Sequence, residues 1–230
     1  GCRNLTDTEV QKVLTNYGSS LRRLDLGWTK ITGAALEGVI LPKLEELSLY
    51  GCRNLTDTEV QKVLTNYGSS LRRLNLGWTK ITGAALEGVT LPKVEELSLY
   101  GCNNLTDTEV QKVFTNYGSS LRRLHLGWTK ITGAALEGVT LPKVEELNLH
   151  GCSNLTDTEI QNFLRKSGGY LTRLDLARTA ISGSWLANWI EAEHHTLGSM
   201  SDLSLMSCIN VSAADKERIK TGLPHCLVKF

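Results

Sequence analysis

The chain copies itself with a period of 50 residues, and self-similarity at a fixed period constrains the architecture before any local propensity does. Residues 1–50 and 51–100 differ at three positions: Asp25/Asn75, Ile40/Thr90 and Leu44/Val94. Residues 51–100 and 101–150 differ at five: Arg53/Asn103, Leu64/Phe114, Asn75/His125, Ser98/Asn148 and Tyr100/His150. Beyond residue 151 the copy decays, although GCSNLTDTEI and LTRLDL survive.

Each 50-residue module holds two similar halves. One reads Leu44-x-x-Leu47-x-Leu49-x-x-Cys52-x-x-Leu55, the other Leu71-x-x-Leu74-x-Leu76-x-x-Thr79-x-Ile81. Successive halves start at 21, 44, 71, 94, 121, 144 and 171, and a weaker copy starts at Met200. Gly1–Leu5 reads as the tail of a further unit. Alternating leucines put one apolar row on one side of a short strand. A single strand with one helix cannot bury that row, but stacked neighbours can, so stability is shared between adjacent units.

Thr56-Asp57-Thr58-Glu59 is a capping box that opens a helix. Val60, Val63, Leu64 and Tyr67 follow at helical spacing, and Gly68 is expected to stop the helix in a left-handed C′ conformation. In the other half, TGAALEGV leaves room for only one or two turns from Thr82. The pattern predicts an α/β solenoid, a horseshoe with a parallel sheet on its concave side and alternately long and short helical segments outside. It is expected to be one domain, with repeats over 1–199 and a final repeat plus C-terminal cap over 200–230. Trp185, Leu186, Trp189 and Ile190 predict a longer helix near the cap. Residues 213–222 read as a last helix and Leu227–Phe230 as an edge strand. No cap is visible at the other end, which predicts exposed apolar surface and self-association there.

Cys2, Cys52, Cys102, Cys152 and Cys208 share one slot after the strand, and Thr29, Thr79, Thr129 and Thr179 fill it in the alternate halves. Successive cysteines are then two strands, roughly 9–10 Å, apart, too far for a disulfide, which needs about 7 Å between Cα atoms. They are read as reduced and buried, with only Cys208–Cys226 left open as a pair. Free thiols favour a reducing compartment, cytoplasm or nucleus, and the first residues carry no signal-like segment. Asn4, Asn54, Asn104 and Asn154 begin N-L-T and Asn210 begins N-V-S. These are read as loop-forming asparagines followed by helix-capping hydroxyls rather than as glycan acceptors.

Net charge is +1, with 41% hydrophobic and 21% charged residues. That balance argues against nucleic acid or anionic membrane as partner, and no apolar run is long enough to span a bilayer. The candidate binding residues are those between the leucines. At the third strand position Arg23, Glu46, Arg73, Glu96, Arg123 and Glu146 alternate in sign. At the fifth stand Asp25, Ser48, Asn75, Ser98, His125 and Asn148; beyond it lie Trp28, Tyr50, Trp78, Tyr100, Trp128 and His150. The charges read either as a self-neutralising ladder or as contacts for a partner. The rings read either as packing on neighbouring glycines or as interface anchors. No nucleophile elbow or phosphate-cradling loop is present. His125 and His150, with Asp175 nearby, are read as variable surface positions, and His194–His195 has no visible ligand partner. No catalytic residue, metal or cofactor is assigned.

The half that continues as Gly-Cys-x-Asn-Leu-Thr-Asp resembles the cysteine-containing leucine-rich repeats of F-box proteins and of ribonuclease-inhibitor-like proteins. The resemblance spans nearly the whole chain. It implies a non-enzymatic scaffold that binds a protein on its concave face; F-box members present such partners for ubiquitylation. No segment here looks like an F-box. The near-identity of three modules also departs from ordinary members and suggests recent duplication or consensus engineering.

Overall fold

The computed structural model describes residues 4–193 and 197–230. Cys2, His194 and His195 lie outside the described residues. The chain forms two compact units, Gly1–Leu105 and Thr106–Phe230.

The first unit runs α1 (Asp7–Tyr17), β1 (Arg23–Asp25), β2 (Glu46–Ser48), α2 (Asp57–Tyr67), β3 (Arg73–Asn75) and β4 (Glu96–Ser98). Its strands are parallel and paired in chain order, Leu24 beside Leu47 beside Leu74 beside Leu97. The second runs α3 (Asp107–Tyr117), β5 (Arg123–His125), β6 (Glu146–Asn148), α4 (Asp157–Ser167), β7 (Arg173–Asp175), α5 (Gly183–Glu193), β8 (Asp202–Ser204), α6 (Ala213–Gly222) and β9 (Leu227–Lys229). These strands are also parallel and sequential. In both units the leucine row faces the helical layer; Leu47, Leu74 and Leu97 are at most 1% exposed.

The helix starts follow the expected logic and add a function to it. Thr56 Oγ1 accepts the Glu59 N–H at 3.3 Å, and Glu59 Oε2 accepts the Thr56 N–H at 2.8 Å. Glu59 Oε1 also accepts the Gly33 N–H at 2.9 Å, and Asp57 accepts both the N–H and the hydroxyl of Thr82 at 2.7 Å. The first-turn acids thus tie α2 to the short turns on either side of it. Those turns, Gly33–Leu36 and Gly83–Leu86, are 3₁₀ segments capped by Thr32 and Thr82.

Gly68 departs from expectation. Its φ is −60°, right-handed, and the chain continues into a 3₁₀ turn over Gly68–Ser70. A Cβ there would lie 2.7 Å from Leu91 Cδ2 and 3.0 Å from the Thr90 carbonyl. Close packing of the next half-repeat, not a left-handed turn, requires the glycine.

The cysteine and threonine slots share one job. Thr29 Oγ1 and Cys52 Sγ both donate to the Leu26 carbonyl, at 2.7 and 3.0 Å. Thr79 and Cys102 repeat this on Leu76 at 2.6 and 3.2 Å, Thr129 and Cys152 on Leu126, Thr179 and Cys208 on Leu176. Burial raises the Cys52 and Cys152 thiols and pushes Cys102 up to about 11. Cys208 and Cys226 are free thiols, which closes the pairing left open by the sequence. The sequon asparagines are loop formers: Asn54 and Asn104 Nδ2 donate to the Lys30 and Lys80 carbonyls at 2.8 Å, and Asn210 to Ala180 at 2.9 Å.

At the C-terminal side, α5 replaces the four-residue turn of earlier modules with 11 residues. Trp185 and Trp189 stack with centroids 6.1 Å apart, and Trp189 is buried. α6 covers this region through buried Ile219, and β9 pairs with β8 where an edge strand was expected.

Candidate protein-interaction face

The sheet face turned away from the helices carries the candidate residues in rows fixed by register. In the first unit, Arg23, Glu46, Arg73 and Glu96 lie side by side, as do Asp25, Ser48, Asn75 and Ser98. In the second, Arg123, Glu146, Arg173 and Asp202 form one row and His125, Asn148, Asp175 and Ser204 the next.

The charge ladder forms. Glu46 sits between Arg23, at 3.6 Å, and Arg73, which binds it more closely. Glu146 receives Arg173 at 3.4 Å. A second ladder runs one residue earlier, Arg22–Glu45, Arg72–Glu95 at 2.6 Å and Arg122–Glu145. Sequence reasoning missed it, although the Arg-Arg and Glu-Glu doublets at second and third positions carry the signal. These pairs are largely exposed, so each contributes about 0.2–1 kcal/mol; they set register and polarity more than stability.

The fifth position has a local role that explains part of its variation. Asp25 Oδ1 accepts the Gly27 N–H at 2.8 Å, Asn75 Oδ1 the Gly77 N–H at 3.0 Å, and Asn148 Oδ1 the His150 N–H at 3.1 Å. Asp and Asn both serve because either offers an oxygen to this turn. His125 has no such oxygen. Its Nε2 is buried without a hydrogen-bond partner, 3.8 Å from Glu146 Oε1.

The aromatic row follows immediately. Trp28, Trp78 and Trp128 have φ of 59°, 54° and 54°, left-handed values unusual for a large side chain. Each backbone N–H donates to the seventh-position carbonyl of the next strand: Trp28 to Tyr50 at 2.7 Å, Trp78 to Tyr100 at 2.7 Å, Trp128 to His150 at 2.6 Å. Each indole occupies space beside the next glycine; a Cβ at Gly51, Gly101 or Gly151 would come within 2.7–2.9 Å of it. Trp28 meets Tyr50 edge-on at 5.3 Å, and Trp78 meets Tyr100 at 6.3 Å. Arg53 lies over Trp78 at 5.9 Å and Arg178 over Trp128 at 5.8 Å, two arginines absent from the sequence-based set. The rings therefore pack on glycines as one reading held, yet Trp28 and Trp128 remain 44% and 38% exposed.

The two histidines do not converge. His125 faces Glu146, while His150 Nδ1 lies 3.6 Å from Asp175 Oδ2 and its ring lies 5.8 Å from Trp128. Among the described residues no three His, Cys, Asp or Glu side chains gather as a metal site would require, and no helix is long and apolar enough to cross a membrane.

A family model described as Leucine Rich repeat matches residues 19–39. A chain of the crystal structure of the Rad7 and Elc1 complex in yeast has a similar fold, with TM-score 0.57 and 18% identity. The match covers 96% of this chain but only 64% of that one. The Arabidopsis receptor kinase HAESA ectodomain, solved with a peptide hormone ligand, gives TM-score 0.47 and 16% identity over 79% of this chain and 29% of that one. No curated protein sequence matches significantly. Leucine rows, parallel register, the repeat model over residues 19–39 and the likeness to the Rad7–Elc1 chain agree on the fold, an α/β leucine-rich-repeat solenoid.

Proposed function

We propose that the chain is a non-enzymatic module that holds a protein partner on the open sheet face, anchored by the aromatic row and oriented by the charge ladders. The observation that carries this reading is the conformation of the tryptophans. A left-handed turn position is served best by Gly or Asn, and a non-Gly residue there costs about 1–3 kcal/mol. Keeping an indole at that position in three modules, exposed at Trp28 and Trp128, supports a binding role, since interface hot spots favour Trp, Tyr and Arg. All three types meet here. The interleaved Glu46, Glu96 and Glu146 argue against nucleic acid, whose phosphates they would repel. The cysteine ladder supports placing the chain among the cysteine-containing repeats, and its free thiols support a reducing compartment.

The test is affinity capture on immobilised protein from a cell extract. The intact chain is compared with the triple variant Trp28→Ala, Trp78→Ala, Trp128→Ala and with Lys62→Ala, an exposed change on the helical side. Proteins retained by the intact chain and by Lys62→Ala, but reduced at least about tenfold by the triple variant, support the reading. Equal retention by all three sinks it.

A further inference from the structure

Along β6 to β9 the open face of the second unit holds a cavity of about 310 Å³, whose lining includes Glu146, Asp175, Asp202, Ser204, Met206 and Lys229. The charges in it are not equally matched. Glu146 stands in register between Arg123 and Arg173, with Arg173 at 3.4 Å. Asp202 stands beside Arg173 and takes Lys229 at 2.6 Å. Asp175 has no permanent cation in contact among the described residues. Its Oδ1 accepts the Ala177 N–H at 3.0 Å and its Oδ2 accepts the Asn148 amide at 3.1 Å; the basic group that meets it is the His150 imidazole, Nδ1 at 3.6 Å. Beside it in register stands half-buried Ser204, whose hydroxyl has no hydrogen-bond partner among the described residues.

We infer that this cavity receives an arginine side chain of the protein partner, with its guanidinium on Asp175 and Ser204. The inference rests on the reading that the open face holds a protein, and it names what that protein must offer. Neighbouring strands lie about 4.8 Å apart, so the Asp175 carboxylate and the Ser204 hydroxyl present acceptors side by side. A guanidinium carries its donors in a planar fork that meets both, whereas an ammonium is a point charge. The aliphatic stem lies along Met206, which is 51% exposed in the seventh-position slot that Tyr50 fills in the first unit. Arginine stems cover apolar surface in this way while the charged head makes its own contacts.

Charge selects this occupant. A neutral or acidic side chain that displaced water here would leave Asp175 desolvated and unpaired, which is strongly unfavourable. The turn does not need the carboxylate: Asn75 and Asn148 make the same fifth-position turn bond without a charge. The first unit repeats the pairing. Asp25 stands beside Ser48 in a cavity of about 260 Å³, with Glu46 held between Arg23 and Arg73, and Asp25 Oδ1 accepts the Gly27 N–H. Asp or Asn at the fifth position thus decides which cavities carry a charge while the backbone stays the same.

An NMR titration of the isotopically labelled chain at constant ionic strength tests it. The probe is N-acetyl-arginine N-methylamide; the control is its citrulline analogue, which has the same shape without the charge. The Ala177 amide is the reporter, because it donates to Asp175. Its signal shifts saturably with the arginine probe, with a Kd of about 10 mM or tighter, and the citrulline analogue binds at least about tenfold more weakly. Asp175→Asn, which keeps the turn as Asn148 does, removes the response at Ala177. Asp25→Asn leaves that response in place and removes the one at Gly27. Ser204→Ala weakens the probe by about threefold, as loss of one hydrogen bond does. An equal response to both probes, a response that survives Asp175→Asn, or no saturable shift up to about 50 mM overturns the inference. The capture assay keeps the two readings apart. If the tryptophan variant loses its proteins while Ala177 does not respond, only the arginine cavity falls. If Ala177 responds while the tryptophan variant retains everything, the aromatic row falls and the cavity stands.

Discussion

The indole of Trp78 occupies the space that a side chain at residue 101 would need. A Cβ on Gly101 would come 2.7 Å from Trp78 Cδ2 and 2.8 Å from Cε2, and Gly101 itself has φ +71°. Ring and glycine are two halves of one contact, repeated at Trp28–Gly51 and Trp128–Gly151.

Gly101→Ala is therefore expected to cost more than the backbone strain alone. The strained conformation contributes about 1–2 kcal/mol, and displacing the indole adds to it. Gly88→Ala is the control, since Gly88 has φ +69° with nothing within 4 Å of a new Cβ. Urea melts should show the larger loss for Gly101→Ala, and only that variant should shift tryptophan fluorescence. Equal losses would mean that the ring moves aside freely.

Trp78→Gly and Trp78→Ala separate binding from folding. Both remove the ring, so both should lower partner retention alike, by about tenfold or more. At φ 54° the glycine variant escapes the left-handed strain and should be the more stable of the two by about 1 kcal/mol. Denaturant midpoints together with the capture assay check this.

The buried thiols make the protein sensitive to alkali. Folding raises Cys102 from an ordinary 9.0 to about 11 and raises Cys52 and Cys152 in the same direction. A raised value means the folded state holds its proton where the unfolded chain releases it. The stabilisation is complete below pH 9 and is lost as pH climbs toward 11, on the order of 2 kcal/mol for Cys102. Burial raises Tyr67 and Tyr117 above 10 and steepens the loss. Urea midpoints should fall between pH 8.5 and 10.5 by an amount that Cys102→Ala reduces. Below pH 9 a thiol reagent should label half-buried Cys226 first.

Glu59 links two half-repeats and should report on acid. Partial burial would raise its carboxyl, but the N–H groups of Thr56 and Gly33 and the Thr56 hydroxyl outweigh this and hold it below 4.5. A lowered value gives stability that is present above 4.5 and lost as pH falls through the folded value. Glu59→Ala should cost about 1–2 kcal/mol at neutral pH, as losing a cap does. Its melts should vary less between pH 5 and 3 than those of the intact chain; an unchanged acid slope would assign the loss to other carboxylates.

Much of this was legible in one dimension. Leu47, Leu74 and Leu97 announced the core row because alternation in a strand fixes which side a residue faces, and Thr56 with Glu59 announced a helix start because only their spacing satisfies both orphan donors. The site was legible as rows but not as contacts. Nothing local in Arg53 or Arg178 shows that each will lie over a tryptophan in a different half-repeat. Gly68 was misread because a glycine after a helix looks the same whether a left-handed turn or a close neighbour demands it.

The sequence by itself determined the period, the strand and helix order and the residues that point outward, since these depend on spacing along the chain. Only the tertiary structure decided the rest. It showed that Cys52 and Thr29 share the Leu26 carbonyl, that Glu59 reaches Gly33, and that each tryptophan is held left-handed against the glycine of the next half-repeat. These are contacts between residues some 20 or more positions apart, and their geometry is set by how one repeat stacks on the next, which no single repeat encodes.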